Sequence, residues 1–305
     1  MKNTLEQPSR GVRRTGYKKL QRCYSLLFLA PWAAFFLIFK LYPFIYGFVI
    51  SFTNYTLKSS SFIGLSNYKK IFSDSAVWSS LRATFFYALL CVPGTIIIAL
   101  LFSRAIFPRS DFYNSLSKSI LYLPSLICSV VIVVIVKYLF STSIGFLPWL
   151  CDHLGIKVFS VFAKASSSIP LMSFLIVFLG VGQPVVLYTA AMGGIPSDLY
   201  DAAAIDGATK KQIFYRITLP LLRPTTTLIL VTTTIGALQI FVYPLLFTGG
   251  GPYYSTSTLM LLLYNSAFFN GQFGYSAAIG VVLFVITGIL AAVQFRMTRR
   301  DSVEY

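Results

Sequence analysis

Six long stretches of apolar residues, none of which contains Asp or Glu, constrain this chain more than any other feature. A helix needs about 20 predominantly apolar residues to cross the hydrocarbon core of a bilayer. The 305 residues are 56% apolar and only 11% charged, which is more apolar surface than a water-soluble domain of this length can bury. The sequence therefore predicts an all-α polytopic membrane protein with about six transmembrane helices. The predicted spans are 24–39 with a continuation to 52, 83–103, 119–140, 169–191, 224–247 and 276–295.

Positive charge orients these spans. Most of the 25 Lys and Arg residues lie before the first span, between the second and third, between the fourth and fifth, or after the last. Because Lys and Arg are retained on the cytoplasmic side of membranes, we assign these segments to the cytoplasm. The prediction is a basic tail over residues 1–23, a transmembrane domain over residues 24–296 and a tail over residues 297–305, with both tails cytoplasmic.

Several classes of function are disfavoured by the residues. The net charge of +16 does not indicate nucleic-acid binding, since the aromatic residues lie within apolar runs and not among basic stripes. The four Cys and single His have no metal-ligand spacing, and no nucleophile motif is present, so we predict no catalytic and no metal-binding residue. The absence of acidic residues from the spans disfavours a stand-alone secondary carrier or facilitator, which remains an alternative.

Residues 196–220, between the fourth and fifth spans, predict two short helices on the cytoplasmic face. The first extends over residues 199–205, and the side chains of Ser197 and Asp198 are suited to cap its start. Gly207 is suited to end it, because glycine accepts the positive φ angle that helix ends often require.

A second short helix is predicted over residues 210–217, with Thr209 as its cap and Pro220 as its end. The alanines at 202–204 would allow another protein to approach the backbone closely. The segment is therefore equally consistent with a docking site and with an ordinary interfacial loop.

The string DAAAIDGATKKQIFYRITLP, residues 201–220, closely resembles the EAA loop of ABC importer permeases. Asp201 stands where the family has Glu, which keeps the charge on a side chain shorter by one methylene group. In the family this loop is the coupling helix that lies in a groove of the ATPase subunit. The resemblance implies this coupling role for Asp201, Ala202, Ala203, Asp206, Gly207, Ala208, Phe214, Ile217, Leu219 and Pro220.

Three further stretches are similar to the carbohydrate-uptake branch of that family. They are APWAAFFLIFKLYPFIYGFVISFTNY at 30–55, FIGLSNYKKIF at 62–72 and LLFTGGGPYYST at 245–256, and the last resembles the maltose-type first permease subunit. The likeness covers nearly the whole chain and implies a type I ABC importer permease fold. An ABC permease for a non-sugar substrate remains the other alternative.

Two polar groups within the spans indicate a substrate path. Thr232, Gly236, Gln239 and Tyr243 recur at the spacing of one helical face. In the fourth span, Gly180 and Gln183 precede a proline, which predicts a bent or broken helix with Gln183 turned inward. Polar side chains in lipid are costly, so we expect these six residues to bind substrate, with helix–helix packing as the alternative for each. The family resemblance supports the choice.

The resemblance also implies partners and a mechanism. A second homologous permease would complete the pathway, two ATPase subunits would bind and hydrolyse ATP, and an extracytoplasmic binding protein would deliver the sugar, oligosaccharide or polyol. The chain itself would then bind no cofactor and catalyse no reaction, and would work by alternating access in a bacterial or archaeal cell membrane.

Overall fold

The computed structural model describes residues 24, 27–57, 59–107, 110–141, 145–154 and 165–299. The predicted tail over residues 1–23 and most of the tail over residues 297–305 lie outside the described residues. The described part of the chain is helical almost throughout, and its only pairing of extended backbone is an antiparallel bridge between Thr53 and Phe62. The prediction of an all-α fold is therefore confirmed.

The helices are, in chain order, α1 (Leu27–Ile50), α2 (Ser66–Ser73), α3 (Ser75–Ile106), α4 (Asp111–Tyr122), α5 (Ser129–Leu139), α6 (Phe146–His153), α7 (Ala165–Gly180), α8 (Gly182–Gly193), α9 (Ser197–Ile205), α10 (Lys210–Ile213), α11 (Leu219–Leu221), α12 (Arg223–Leu238), α13 (Val242–Phe247), α14 (Leu259–Tyr264) and α15 (Phe273–Arg299). Other helical turns interrupt or extend four of them: π-helical turns at Leu37–Leu41 within α1, Phe214–Thr218 after α10 and Asn265–Phe269 after α14, and a 3₁₀ turn at Leu123–Leu126 after α4.

These helices provide up to six membrane spans in the described residues. Four are long and apolar enough on their own: α1, α3, α15, and α12 together with α13. Two more spans consist of helix pairs that bend at a short break, by 87° between α4 with its 3₁₀ turn and α5, and by 46° between α7 and α8. If each bent pair is one span, the total equals the six predicted.

The first span continues through two residues that the sequence suggested as interruptions. Lys40 lies in the π-helical turn of α1, and Pro43 lies in the first turn of the α-helical part that follows it. Pro43 lacks the N–H that would continue the hydrogen-bond pattern, but membrane helices tolerate proline where neighbouring groups satisfy the freed carbonyl oxygen. The helix therefore extends to Ile50.

The third predicted span, residues 119–140, is not one continuous helix. Pro124 lies in the 3₁₀ turn, and Ile127 and Cys128 then adopt extended backbone before α5 begins. Proline cannot donate the hydrogen bond that would continue the helix, so the chain changes direction here. The end of α4 also lies against α8, where a Cβ atom on Gly182 would overlap the backbone of Leu121, so only glycine fits.

The long helix α3 lies at the centre of the fold and packs against α7, α8 and α12. Asp74 caps its start by accepting a hydrogen bond from the Ala76 N–H at 2.9 Å. The hydroxyl group of buried Ser103, near its other end, donates to the Val185 carbonyl oxygen of α8 at 3.3 Å. These contacts make α3 the common wall of the features described next.

Candidate functional site

A cavity of about 640 Å³ lies between α3, α5, the α7–α8 pair and the α12–α13 pair. All six residues predicted to bind substrate line it: Gly180, Gln183, Thr232, Gly236, Gln239 and Tyr243. The fourth and fifth spans, which are separate in sequence, thus contribute to one cavity. This volume is in the range of small-molecule sites.

The helical-face argument that selected Tyr243 is wrong in one respect. The regular helix ends at Leu238, and Tyr243 belongs to the next helix, α13. The cause is Pro244, whose missing N–H leaves the Ile240 carbonyl oxygen without its helical donor. The Thr258 hydroxyl group donates to that oxygen at 2.6 Å, so the break is stabilised by a distant residue. Tyr243 lines the cavity from the helix beyond this break.

The predicted break in the fourth span is confirmed. The helix bends by 46° between α7 and α8, and Pro184 lies in the first turn of α8. Because proline has no N–H, the carbonyl group of Gly180 loses its helical donor at a position that lines the cavity. Broken helices in membrane proteins occur where the backbone lines a polar cavity or is buried in protein.

No charged side chain lines this cavity in the described residues. Its polar groups are two amides, several hydroxyl groups and the Tyr243 phenol, and its remaining walls are aliphatic and aromatic. Neutral amides and hydroxyls form hydrogen bonds with hydroxylated solutes, while an aromatic ring can cover their C–H faces. The cavity is therefore chemically suited to a neutral polyhydroxylated molecule.

The polar residues of the cavity are not enclosed by this chain. Gln183, Thr232 and Gln239 are exposed, although they lie within membrane spans. Exposure of amide groups to lipid would be costly, so these residues must face water or another protein. The cavity has the character of one side of a larger chamber.

The sequence did not identify several residues of the cavity, namely Thr95, Ser129, Thr233 and Phe241. Ser129 is the first residue of α5, and the bend before it could not be inferred from an uninterrupted apolar run. The proline at 124 was the available signal, since proline often marks a break. Thr95 follows a Pro-Gly pair in α3, which is a similar but weaker signal.

The two-helix prediction for residues 196–220 is confirmed in its central part. The first helix, α9, ends in a Schellman motif: the Ala208 N–H donates to the Ala203 carbonyl oxygen at 2.9 Å, and the Gly207 N–H donates to Ala204 at 3.1 Å. Gly207 has a φ angle of +74°, which glycine adopts without steric strain. The turn is thus encoded by this glycine.

The second helix begins with a capping box. The Gln212 N–H donates to the Thr209 hydroxyl oxygen at 3.3 Å, and the Thr209 N–H donates to the Gln212 side chain at 2.7 Å. The predicted cap is therefore correct.

Two details of the prediction are wrong. The start of α9 has no side-chain cap, because Pro196 occupies the capping position and the Ser197 hydroxyl group contacts Asp198 instead. Pro220 does not end the second helix, since it lies in the first turn of α11 after the π-helical turn Phe214–Thr218. Proline is accepted in a first turn, so the chain remains helical almost up to α12.

The ten residues assigned to coupling fall into two groups by exposure. Asp201, Ala202, Asp206 and Gly207 are exposed, whereas the others are half-buried: Ala203, Ala208, Phe214, Ile217, Leu219 and Pro220. Ile205 is 87% exposed at the end of α9 and was not among the predicted residues.

Comparison with known proteins identifies the family. Residues 84–300, more than half of the chain, match the family described as binding-protein-dependent transport system inner membrane component. The multiple sugar-binding transport system permease protein MsmF of Streptococcus mutans is 30% identical over 290 residues, which cover 94% of this chain and 99% of MsmF. The chain belongs to this permease family.

A second relative matches nearly the whole permease. The arabinooligosaccharides transport system permease protein AraP of Bacillus subtilis is 28% identical over 305 residues, covering 97% of this chain and 96% of AraP. The permease is therefore a multi-pass transport subunit and not an enzyme.

The fold has a counterpart among solved structures. It is similar to a chain in the crystal structure of a bacterial alginate ABC transporter in complex with an alginate pentasaccharide-bound periplasmic protein. The TM-score is 0.83 at 24% identity, over 93% of the permease and 97% of that chain. This likeness confirms the predicted ABC importer permease fold.

Proposed function

We propose that the permease is one membrane subunit of an ATP-driven, binding-protein-dependent importer for a sugar, oligosaccharide or polyol. The observation that carries the proposal is the cavity lined by Gln183, Gln239 and Tyr243, to which the described residues contribute no charged side chain. Such groups suit a neutral hydroxylated solute, and the names of MsmF and AraP refer to sugars and arabinooligosaccharides.

The exposure of the cavity's polar groups supports a second permease as a partner. Thr232, Gln183 and Gln239 cannot face lipid at low cost, and a homologous subunit would close the chamber over them. The two subunits would then alternate between outward and inward openings. Each would supply half of the pathway.

The coupling segment, residues 196–220, supports an ATPase partner. α9 presents Ile205 beside the exposed carboxylates of Asp201 and Asp206, so it combines an apolar tip with charge. We assign this surface to the ATPase subunits, two per complex, which bind and hydrolyse ATP while the permease itself holds no cofactor. An extracytoplasmic binding protein would deliver the substrate at the opposite face of a bacterial or archaeal cell membrane, with both termini in the cytoplasm.

The test is a tagged purification of the permease from its native membranes in mild detergent, with partners identified by mass. We expect a second permease, an ATPase and a substrate-binding protein, and the ligand of the binding protein would then be a sugar or polyol. A permease recovered alone, with ATP-independent uptake in liposomes, would instead identify a secondary carrier. A binding protein loaded with a peptide or an ion would identify an importer of another substrate class.

A further inference from the structure

Arg104 and Phe214 form a contact between the central helix α3 and the coupling segment. The guanidinium carbon of Arg104 lies 4.5 Å from the centre of the Phe214 ring. This geometry is that of a cation–π interaction. Arg104 is in the last turn of α3, and Phe214 is the first residue of the π-helical turn that follows α10. No other described contact of this type lies in the coupling segment.

Phe214 differs from the exposed coupling residues because it points into the membrane domain. Its ring packs against a core cluster that contains Ile106, Tyr188 and Leu222. The same short unit carries α9, and the Tyr200 hydroxyl group lies 3.4 Å from the Thr218 hydroxyl group, which joins α9 to the π-helical turn. A displacement of α9 therefore has a direct mechanical connection to Phe214.

Arg104 in turn lies on a helix that lines the cavity. Thr95 and Cys91 of α3 are nine and thirteen residues before it, which corresponds to about 14 and 20 Å along the helix axis. The neighbouring Ser103 hydroxyl group donates to Val185 of α8, the helix that begins beside Gln183. One end of α3 thus contacts the coupling segment, and its middle forms a wall of the cavity.

We infer that Arg104 is a positioning residue that transmits movement of the coupling segment to α3 through the Phe214 ring. The inference rests on the proposed function, since it assumes that an ATPase moves the segment. An arginine is suited to this position because its planar, weakly hydrated guanidinium group stacks on a ring, whereas the lysine ammonium group is strongly hydrated. The contact would couple α3, which forms a wall of the cavity, to the segment that we assign to the ATPase.

The experiment measures substrate uptake per ATP hydrolysed by the complete complex in proteoliposomes. We expect Arg104→Gln and Phe214→Leu to lower this ratio roughly 2- to 30-fold, the range that a cation–π contact can supply. Phe214→Tyr, which keeps the aromatic ring, should retain more of this ratio than Phe214→Leu. Arg104→Lys keeps the charge at the helix end and should still lose part of the ratio, because the stacked plane is gone.

A matched control is Arg296→Lys. Arg296 is an exposed arginine close to the end of the last span, and no ring contact involves it in the described residues. Its substitution should leave uptake per ATP unchanged. The double variant Arg104→Gln with Phe214→Leu should be no worse than either single variant, since both remove the same contact.

The outcomes separate the inference from the function on which it rests. If the wild-type complex transports with ATP, two results would overturn the inference alone. One is a loss in the double variant that equals the product of the single losses; the other is a wild-type ratio in Arg104→Gln or in Arg104→Lys. A wild-type complex without ATP-dependent uptake would overturn both. Because the ratio is measured on assembled complex, a role of Arg104 in folding alone would lower the yield and leave the ratio intact, which also overturns the inference.

Discussion

Replacement of Gly207 tests the physical basis of the coupling segment. Its φ angle of +74° allows α9 to end in two closing hydrogen bonds and to turn toward Thr209. A residue with a Cβ atom in this left-handed conformation is strained by about 1–2 kcal/mol. That strain lowers the population of the native turn by roughly 5- to 30-fold relative to alternatives that lack it.

The structure separates strain from steric contact at this position. Apart from its two chain neighbours, no described residue has an atom within 4 Å of a Cβ atom placed on Gly207, so Gly207→Ala introduces backbone strain without a clash. Gly207→Asn should be milder, since Asn tolerates the left-handed conformation better than Ala. Gly207→Trp adds a bulky side chain that would obstruct a partner protein docked on this turn. Gly47→Ala is the control, because its Cβ position is also open and its φ angle is not positive.

The assay measures ATPase subunit co-purified per membrane-inserted permease, together with substrate uptake. We expect Gly207→Ala to reduce both by up to about 30-fold and Gly207→Asn to reduce them less. Gly207→Trp should be the most defective if an ATPase surface covers the turn. Gly47→Ala should match wild type. Normal transport by Gly207→Trp would refute the assignment of this turn to coupling.

Three further substitutions test other parts of the account. Gln239→Leu should raise the KM of uptake roughly 2- to 12-fold, because a neutral hydrogen bond contributes about 0.5–1.5 kcal/mol. An unchanged KM would show that Gln239 does not bind the substrate. Lys137→Met should lower the apparent unfolding temperature in a thermal-shift assay, because the Lys137 ammonium group donates to the Leu246 carbonyl oxygen at 2.9 Å near the end of α13. Lys137→Arg should keep the wild-type temperature, and equal temperatures for the two variants would contradict this role. Thr209→Val should cost about 1 kcal/mol of local stability and reduce ATPase co-purification roughly fivefold, whereas Thr209→Ser should do neither. Equal recovery of the ATPase with both variants would show that the capping box is dispensable.

Local sequence signals predicted the coupling segment well. A capping box and a Schellman glycine act through residues three to five positions apart, so Thr209 and Gly207 could be assigned from the sequence itself. The prediction that Pro220 ends the second helix was wrong because the π-helical turn before it changes which carbonyl groups lack a hydrogen-bond donor. That turn has no local signature in the sequence.

The spans were predictable for a different reason. A bilayer requires about 20 apolar residues whatever the tertiary packing, so the apolar runs located the spans of the described residues. Apolarity does not locate helix ends, and α3 begins at Ser75, eight residues before the predicted start, because its first turns are polar and capped by Asp74. Helix breaks were only partly predictable from proline.

The main polar residues of the cavity could be predicted from the sequence, but the contacts between segments that form the cavity could not. Gln183 and Gln239 were identified because amides are rare in apolar spans, and the structure places both on one cavity. The breaks before Ser129 and Tyr243 follow from Pro124 and Pro244, but the bond from Thr258 to Ile240 that stabilises the second break joins distant segments. Single-span patterns contain no information about such contacts.

The most direct test of the central claim is ATP-dependent uptake by the reconstituted complex. Proteoliposomes that contain the permease with its co-purified partners would receive the binding protein and its labelled ligand outside and ATP inside. We predict accumulation of the ligand with ATP, none with a non-hydrolysable analogue, and none when the permease is reconstituted alone. Equal uptake by the permease alone, without ATP, would contradict the account.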